Sequence, residues 1–158
     1  MKNKKTNAMR ILDRNKIKYE YYFHDVDEHD IIGYQYFADN HMDLKTIYKT
    51  LVLTAKDGEN IVAMIPINQE LDLKKLAKAS KHKAVAMLPQ KDLLPLTGYV
   101  HGGCSPLGMK KTFNTFIQKD ALDLKQIYFS AGKVGGQIKL CPTDLIDLLK
   151  IIVCDITK

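Results

Sequence analysis

Hydrophobic and polar residues alternate along this chain with two periods, one typical of helices and one typical of strands. Apolar residues spaced three or four apart predict helices over residues 6–13, 31–40, 73–80, 90–96 and 142–150. Runs of β-branched and aromatic residues predict strands over residues 19–23, 47–55, 60–66, 84–88, 112–117, 126–131 and 137–140. Short helices that alternate irregularly with hairpins favour a mixed α/β sheet or barrel with peripheral helices, and they argue against a doubly wound parallel fold.

Length and composition place the chain among ordinary globular proteins. It has 158 residues, of which 46% are hydrophobic and 27% are charged, and no segment resembles a linker or a repeat. We therefore expect residues 1–158 to form a single domain. The basic N-terminal sequence MKNKKTNAMR lacks the apolar stretch of a signal peptide, and no run is long enough to cross a bilayer, so we expect a cytoplasmic protein without a membrane partner.

The charge and the cysteines narrow the classes of ligand. A formal net charge of +6 suits a polyanionic partner such as nucleic acid, although a solvated lysine-rich surface would have the same composition. The three cysteines, Cys104, Cys141 and Cys154, are widely spaced, and the histidines show no metal-ligand spacing. We therefore expect neither a disulfide framework nor a metal site, and the sequence contains no nucleotide-cofactor fingerprint.

One lysine occupies a position where the strand pattern expects an apolar side chain. In the predicted strand IYKTLVLTA, Lys49 shares a face with Ile47, Leu51 and Leu53. An ammonium on an aliphatic face is costly unless it has an anionic partner or reaches water. Lys49 is therefore either a side chain that extends to solvent from the strand end or a cation directed at a ligand carboxyl, carbonyl or phosphate.

The segment TGYVHGGCSPLGMKK, residues 97–111, concentrates several of the chain's glycines. Its run from Gly102 to Ser105 would offer consecutive N–H groups to an oxyanion or a carbonyl oxygen, unless it is only a tight connection. Cys104 would need a nearby base to act as a nucleophile, and we interpret it as a small packing residue. The chain shows no convincing side-chain nucleophile, so an enzyme built on it would act by positioning and polarising its substrate.

Several motifs follow one another in an order that carries a family resemblance. They are KTNAMRILD, KTL at residues 49–51, MIP, ELDLKKLAKA, LTGYVHGGCSPLGMKK and IYFSAGKVGGQIKLCPTDL. Over roughly residues 6–155, the sequence closely resembles the YbaK/EbsC family of aminoacyl-tRNA deacylases, especially its Cys-tRNA(Pro) deacylase branch. Relatives of this family include the editing insertion of bacterial prolyl-tRNA synthetases.

The resemblance implies a fold, a reaction and partners. The fold would be a mixed, largely antiparallel barrel-like β-sheet flanked by short helices. The reaction would be trans-editing: the release of cysteine from the aminoacylated 3′ end of mischarged Cys-tRNA(Pro), without a protein nucleophile, a cofactor or a metal. The attacking group would be water, a ribose hydroxyl or the substrate's own thiol, and prolyl- or cysteinyl-tRNA synthetase would be a further partner.

The resemblance also assigns the residues of the site. The catalytic residues would be Lys49, Gly102, Gly103 and Ser105. The residues that bind the substrate would be His24, Thr50, Pro106, Ser130, Gly132 and Gln137. Two of these depart from the family's usual residues, since His24 stands where close relatives often have tyrosine and Gln137 stands where aspartate is common.

These departures leave other functions open. A different mischarged substrate, such as Ala-tRNA(Pro), would fit the same reaction. The missing nucleophile also leaves open a non-catalytic module that binds aminoacyl-tRNA or a synthetase. A nucleotide-binding regulator is less favoured, because such a site needs a helix N-terminus directly after the glycines, and here Pro106 and LGMKK lead to a strand.

Overall fold

The computed structural model describes residues 5–158, in which short helices and strands follow the predicted order. The helices are α1 (Asn7–Arg14), α2 (Tyr34–Asp39), α3 (Leu73–Ala79), α4 (Gln90–Thr97) and α5 (Pro142–Leu149). The strands are β1 (Glu20–Phe23), β2 (Tyr48–Ala55), β3 (Asn60–Pro66), β4 (Val85–Met87), β5 (Asn114–Gln118), β6 (Ile127–Ser130), β7 (Gly136–Leu140) and β8 (Ile152–Cys154). Two 3-10 helical turns, Leu44–Thr46 and Lys119–Asp123, precede β2 and β6.

The described strands form two sheets. One sheet has the order β1–β7–β6 with antiparallel pairs, and the other has the order β4–β2–β3–β5–β8. In the larger sheet β4–β2 and β2–β3 are antiparallel, whereas β3–β5 and β5–β8 are parallel. A parallel bridge between Ile47 and Tyr128 joins the two sheets. The mixed, largely antiparallel α/β class is thus confirmed, but the barrel-like sheet is corrected to two sheets that do not close into a barrel.

The strand period decides which side chains β2 and β3 bury. Their register places Leu51 opposite Ala63 and Leu53 opposite Ile61. Leu53, Ala63 and Ile61 have no exposed surface, and Leu76 of α3 packs against the same cluster. The alternation read from the sequence therefore assigns this face of β2 to the core, and Lys49 lies at its open end.

The helices within residues 5–158 are short, and the longest have 8 residues. Side-chain caps start two of them at the predicted places. Thr6 accepts a hydrogen bond from the Met9 N–H at the start of α1, and Asp72 accepts from the N–H groups of Lys74 and Lys75 at the start of α3. None of the described helices is long and apolar enough to cross a bilayer.

Helix α2 begins later than the sequence pattern predicts. Gly33 precedes it with φ at +91°. The Asp30 carboxylate accepts hydrogen bonds from the backbone N–H groups of Gln35 and Tyr36, at 3.0 and 2.9 Å. These bonds satisfy first-turn donors that have no intrahelical partner. Residues 31–32 consequently stay in a loop, and that loop lies against the glycine-rich segment.

Candidate active site

A cleft lies where the start of β2 meets the glycine-rich segment between α4 and β5. It contains about 560 Å³ of empty space, and its walls also include parts of α2, α4, β6 and β7. Phe37, Ile47 and Leu93 make part of the wall apolar. Of the residues assigned to the site from the sequence, those that line this cleft are Lys49, Thr50, Gly102, Ser130 and Gln137.

Lys49 supplies the cleft with a cation. The register of β2 and β3 places Lys49 opposite Ile65, on the aliphatic face that the sequence predicted. Burial lowers the pKa of the Lys49 ammonium below its ordinary value of 10.5, and the charge of Glu70 partly opposes this effect. Lys49 makes no ion pair with any residue of the described part of the chain. A partly desolvated ammonium without an ion pair is a suitable binding group for a carbonyl or phosphate oxygen.

The glycine-rich segment brings backbone N–H groups to the same cleft. Gly102 and Cys104 line it. Within residues 5–158, the N–H groups of Gly102, Cys104 and Ser105 have no acceptor, whereas the Gly103 N–H donates to the Val100 carbonyl at 2.9 Å. The predicted row of donors is therefore divided. The Gly103 N–H holds the turn, whereas the N–H groups of Gly102 and Cys104, two residues of the cleft lining, are left without an acceptor among the described residues.

Close packing explains why two adjacent glycines are needed. Gly102 has φ at +85°, and a Cβ atom there would lie 2.0 Å from Cγ2 of Ile31. A Cβ atom on Gly103 would lie 2.9 Å from the backbone nitrogen of Val134 and 3.1 Å from the carbonyl carbon of Lys133. The segment is thus pressed between the loop before α2 and the turn between β6 and β7. This one segment is a tight structural connection that also contains N–H groups without an acceptor among the described residues.

Two serines assigned to the site use their hydroxyl groups in local turns. The Oγ atom of Ser105 accepts from the Leu107 N–H at 3.2 Å, and Oγ of Ser130 accepts from the Gly132 N–H at 3.2 Å. Ser105 is fully buried and does not line the cleft, whereas Ser130 does. Gly103, Pro106 and Gly132 also lie outside the cleft lining. The structure therefore places Gly103, Ser105, Pro106 and Gly132 outside the cleft lining, and Pro106 lines a different cavity.

Gln137 and His24 line one groove together, but only Gln137 also lines the cleft. Gln137 pairs with Ser130 of β6 and with Tyr22 of β1, and it lines both the cleft and an adjacent groove. His24 follows β1 and lines only the groove of these two cavities, where its ring stacks on Tyr36 with 3.8 Å between ring centroids. The structure thus separates His24 from the cleft that holds Lys49.

Cys104 lines the cleft, but its environment does not favour a thiolate. Burial raises the pKa of the Cys104 thiol to about 12. The side chain is 8% exposed and packs with Val52 and Val62. Because the thiolate is the nucleophilic form, a thiol with so high a pKa is a poor nucleophile near neutral pH. This environment agrees with the interpretation of Cys104 as a packing residue.

Tyr99 has a positioning role that the sequence did not reveal. Its hydroxyl donates a hydrogen bond to the Leu107 carbonyl. Its ring lies so close to Gly132 that a Cβ atom on this glycine would be 3.0 Å from Cε1 of Tyr99. Tyr99 thereby fixes the glycine-rich segment against the turn after β6. No local sequence pattern indicates this role, because Tyr99 lies in an irregular stretch and contacts Leu107 and the distant Gly132.

The chemistry of the cleft follows from what lines it. Lys49 supplies a positive charge, and Gly102 and Cys104 are lining residues whose N–H groups have no acceptor among the described residues. The hydroxyl of Thr50 is also buried without a partner among the described residues. No carboxylate belongs to this lining. Groups of this kind are suited to polarising a carbonyl or phosphoryl group. The fold and the site together are those of a small α/β protein with a cation and unpaired N–H groups among the residues of one cleft.

Comparison with known proteins specifies this class. Residues 35–148 match the family described as the aminoacyl-tRNA editing domain. Over 144 residues, the chain is 45% identical to EbsC of Enterococcus faecalis, which is named as a proposed Cys-tRNA(Pro)/Cys-tRNA(Cys) deacylase. That match covers 91% of this chain and 88% of EbsC. The chain therefore belongs to the aminoacyl-tRNA editing domain family, and the resemblance found in the sequence is confirmed.

Solved structures show the same fold. The hypothetical protein APE2540 superposes with a TM-score of 0.86 at 16% identity, covering 97% of this chain and 100% of that one. A structure described as a proposed trans-editing enzyme for prolyl-tRNA synthetase superposes with a TM-score of 0.79 at 17% identity, covering 96% of this chain and 92% of the other. At these identities the likeness establishes the fold alone.

Proposed function

We propose that this protein is a trans-editing aminoacyl-tRNA deacylase that releases cysteine from mischarged Cys-tRNA(Pro). Membership of the editing-domain family supports an aminoacyl-tRNA substrate, and the name of EbsC supports cysteine as the amino acid. The observation that carries the proposal is the shared cleft of Lys49 and the unpaired N–H groups of Gly102 and Cys104. These groups suit an aminoacyl ester, whose carbonyl oxygen gains negative charge when the carbonyl carbon is attacked.

The reaction that fits this cleft is assisted by the substrate. The cysteinyl sulfur attacks its own ester carbonyl carbon, and the oxyanion that forms accepts hydrogen bonds from the N–H groups of Gly102 and Cys104. The ester C–O bond then breaks, the ribose oxygen leaves and takes up the proton that the thiol has lost, and a cyclic thioester forms. Water opens that ring to give free cysteine. Lys49 binds the aminoacyl-adenosine end and stabilises the negative charge.

The absence of a carboxylate and of an activated thiol from the cleft lining supports this route, and His101 is the imidazole in that lining. Cys104 is held as a thiol, and no carboxylate lines the cleft to serve as a general base. A nucleophile supplied by the substrate also selects cysteine over alanine by chemistry. A pocket alone discriminates one small group by only about 1–3 kcal/mol.

A single-turnover assay separates this enzyme from a non-catalytic binding module. Cys-tRNA(Pro) is mixed with excess protein, and release of cysteine is compared with the spontaneous loss in buffer. A deacylase accelerates the release, and the rate saturates with protein concentration. Binding of the charged tRNA with no faster ester loss at saturating protein would support the binding module and overturn the proposed reaction.

Two side chains in or near the cleft favour an alternative substrate, Ala-tRNA(Pro), for the same reaction. Gln137, at 8% exposure, lines the cleft, and His24 lies in the adjacent groove, and these are the positions that depart from the family's usual residues. Of the two, Gln137 lies where its shape and amide group would contact the amino acid. Faster deacylation of Ala-tRNA(Pro) than of Cys-tRNA(Pro) would replace cysteine with alanine in the proposal.

The proposal extends to the cellular setting of the reaction. We propose that the protein acts in the cytoplasm without a metal ion, and that prolyl- or cysteinyl-tRNA synthetase assists in recognising the tRNA body. The description of the structural relative as an enzyme for prolyl-tRNA synthetase motivates the first partner. Sedimentation of the protein with each synthetase, with and without tRNA, tests for a ternary complex. Independent sedimentation in every mixture would remove the synthetase from the proposal.

A further inference from the structure

An aromatic groove adjoins the active-site cleft. It lies between the sheet β1–β7–β6 and helix α2 and contains about 720 Å³ of empty space. The sheet contributes Tyr22, Phe23 and Tyr128, and α2 contributes Tyr36 and Phe37. No aspartate or glutamate belongs to the lining of this groove. We call this cavity the aromatic groove.

His24 lines the aromatic groove with its ring. Its Nδ1 atom lies 3.0 Å from the Asp25 carbonyl oxygen, which can only accept a hydrogen bond. In the neutral imidazole the proton therefore resides on Nδ1. The Nε2 atom is buried and has no hydrogen-bond partner among the described residues. Because Nε2 is buried, the groove offers a ligand the ring of His24 and not a hydrogen bond to this atom.

Exposed rings in the groove suit a flat ligand. Tyr22 is 44% exposed, and its ring centroid lies 6.2 Å from that of Tyr128. The ring of His24 stacks on that of Tyr36 with 8° between the ring planes, and this pair forms part of the opposite wall. Partly exposed aromatic rings bind single-stranded nucleic acid by stacking on its bases, independently of the base sequence.

One lysine adds positive charge at a ring of the groove. The Lys139 ammonium lies 5.6 Å from the ring centroid of Tyr128. Glu20 approaches Lys139 at 3.8 Å and offsets part of its charge. An aromatic ring with an ammonium group beside it matches a nucleotide, which has a flat base and an anionic phosphate.

The groove is continuous with the cleft where the ester would be held. Phe37 and Gln137 line both cavities. We infer that the aromatic groove is a nucleobase subsite, which stacks a base of the single-stranded 3′ end of tRNA next to the aminoacylated adenosine. This inference rests on the proposed function, because that function places the 3′ end in the cleft. The ligand class is a single-stranded oligonucleotide with at least one base upstream of the esterified nucleotide.

A substrate-length series tests the subsite. The cysteinyl esters of adenosine, of the dinucleotide CpA and of the trinucleotide CpCpA are compared by kcat/KM, each corrected for spontaneous loss. The inference predicts that an upstream nucleotide raises kcat/KM by about 5- to 150-fold, the range that one base–aromatic stack supplies. Tyr22→Leu and Tyr128→Leu should each reduce the ratio of the CpCpA and adenosine values towards one.

Tyr21→Leu is a matched control. Tyr21 is also 44% exposed and adjoins Tyr22 in β1, but it does not line the groove. The control should keep the wild-type ratio, and all variants should melt cooperatively. If Tyr21→Leu lowered the ratio as much as Tyr22→Leu, the effect would belong to the strand and not to the groove, and the inference would be overturned.

A binding measurement makes the inference independent of the reaction. Uncharged CpCpA with a fluorescent cytidine analogue is titrated with wild-type protein, and stacking should quench its emission, whereas Tyr22→Leu should weaken the quenching. Equal kcat/KM for all three esters with no quenching would overturn the subsite and leave the deacylase intact. Quenching without cleavage of any ester would support the subsite and overturn the proposed function. If Tyr22→Leu or Tyr128→Leu changed the amino-acid preference but left the ratio of the CpCpA and adenosine kcat/KM values unchanged, the groove would bind the amino-acid side chain. That result would overturn the inference.

Discussion

Lys49 stands directly opposite Ile65 in the ladder between β2 and β3, so that an ammonium projects from an otherwise aliphatic strand face. Burial lowers its pKa, and no ion pair compensates within residues 5–158. A cation in this position costs stability in the free protein. A bound ester would supply the missing oxygen partner, which explains how the position serves the proposed reaction.

Replacing Lys49 with alanine should therefore reduce deacylation sharply while the protein stays folded. A charge-assisted hydrogen bond contributes about 1.5–3 kcal/mol, so we expect at least a tenfold to hundredfold loss in the rate of cysteine release. Lys49→Arg should not restore the rate, because a planar guanidinium does not replace a compact ammonium. The measurement is single-turnover release from Cys-tRNA(Pro), with thermal melting in parallel.

Lys45→Ala provides the control for this substitution. Lys45 is exposed in the 3-10 turn before β2 and pairs with Asp43 at 3.7 Å, so its removal changes the net charge equally. Its rate should stay close to that of the wild type. Near-normal cysteine release by folded Lys49→Ala protein would remove the main catalytic assignment and leave the backbone donors alone.

The lowered pKa of Lys49 predicts a pH-dependent stability difference. The unfolded chain keeps the ordinary value of 10.5, so between the two pKa values the unfolded state binds more protons than the folded state. Wild-type stability should therefore rise with pH through that window. Lys49→Met, which lacks the charge, should be more stable than wild type at neutral pH, and this advantage should shrink as the pH approaches 10.5. Urea unfolding at several pH values measures the difference in free energy of unfolding between the two proteins. A stability advantage of Lys49→Met that grew with pH would contradict a lowered pKa for Lys49.

Cys104→Ala should keep most of the deacylase activity. With a pKa of about 12 for the Cys104 thiol, only a trace of thiolate exists at neutral pH. The side chain packs against Val52 and Val62, so we expect a loss of about 1 kcal/mol in the free energy of unfolding. Single-turnover cysteine release by the folded variant measures how much deacylase activity remains. A loss of several orders of magnitude in rate would make Cys104 a nucleophile and exclude the substrate-assisted route.

Gly102→Ala should be far more damaging than Gly58→Ala, although both glycines have positive φ angles, +85° and +95°. Each substitution incurs about 1–2 kcal/mol for the left-handed conformation. A Cβ atom on Gly58 meets nothing within 4 Å, whereas one on Gly102 meets Ile31 at 2.0 Å. We expect an additional loss of about 1–3 kcal/mol for Gly102→Ala, together with reduced activity, because the donors of the segment shift. Equal losses in urea unfolding would contradict this packing.

Sequence patterns predicted the elements well because their signals are local. Alternation along β2 placed Lys49 on the aliphatic face, and Thr6 and Asp72 marked the helix starts. The late start of α2 was missed, because Asp30 caps it with its side chain and a glycine intervenes. The expectation that residues 1–158 form one domain stays a prediction.

The site was predictable only in part, because several of its contacts join distant segments. Lys49, Thr50, Gly102, Ser130 and Gln137 do line one cleft. The packing of Gly103 on residues 133–134 depends on how two loops meet, and no local pattern encodes it. His24, which was expected to bind substrate, lines the neighbouring aromatic groove and not the cleft, and its role in binding stays a prediction. That separation arises from the pairing of β1 with β7 and from its stack on Tyr36.

The most direct test of the account compares cysteine with its oxygen analogue in the same tRNA. Single-turnover release is measured from tRNA(Pro) charged with cysteine, with serine and with alanine, at saturating protein. A pocket alone discriminates between such small side chains by only about 10- to 200-fold. The account predicts that the protein releases cysteine faster than serine or alanine by more than this factor. Release of serine or alanine at a rate comparable to that of cysteine would contradict a reaction that depends on the substrate's thiol.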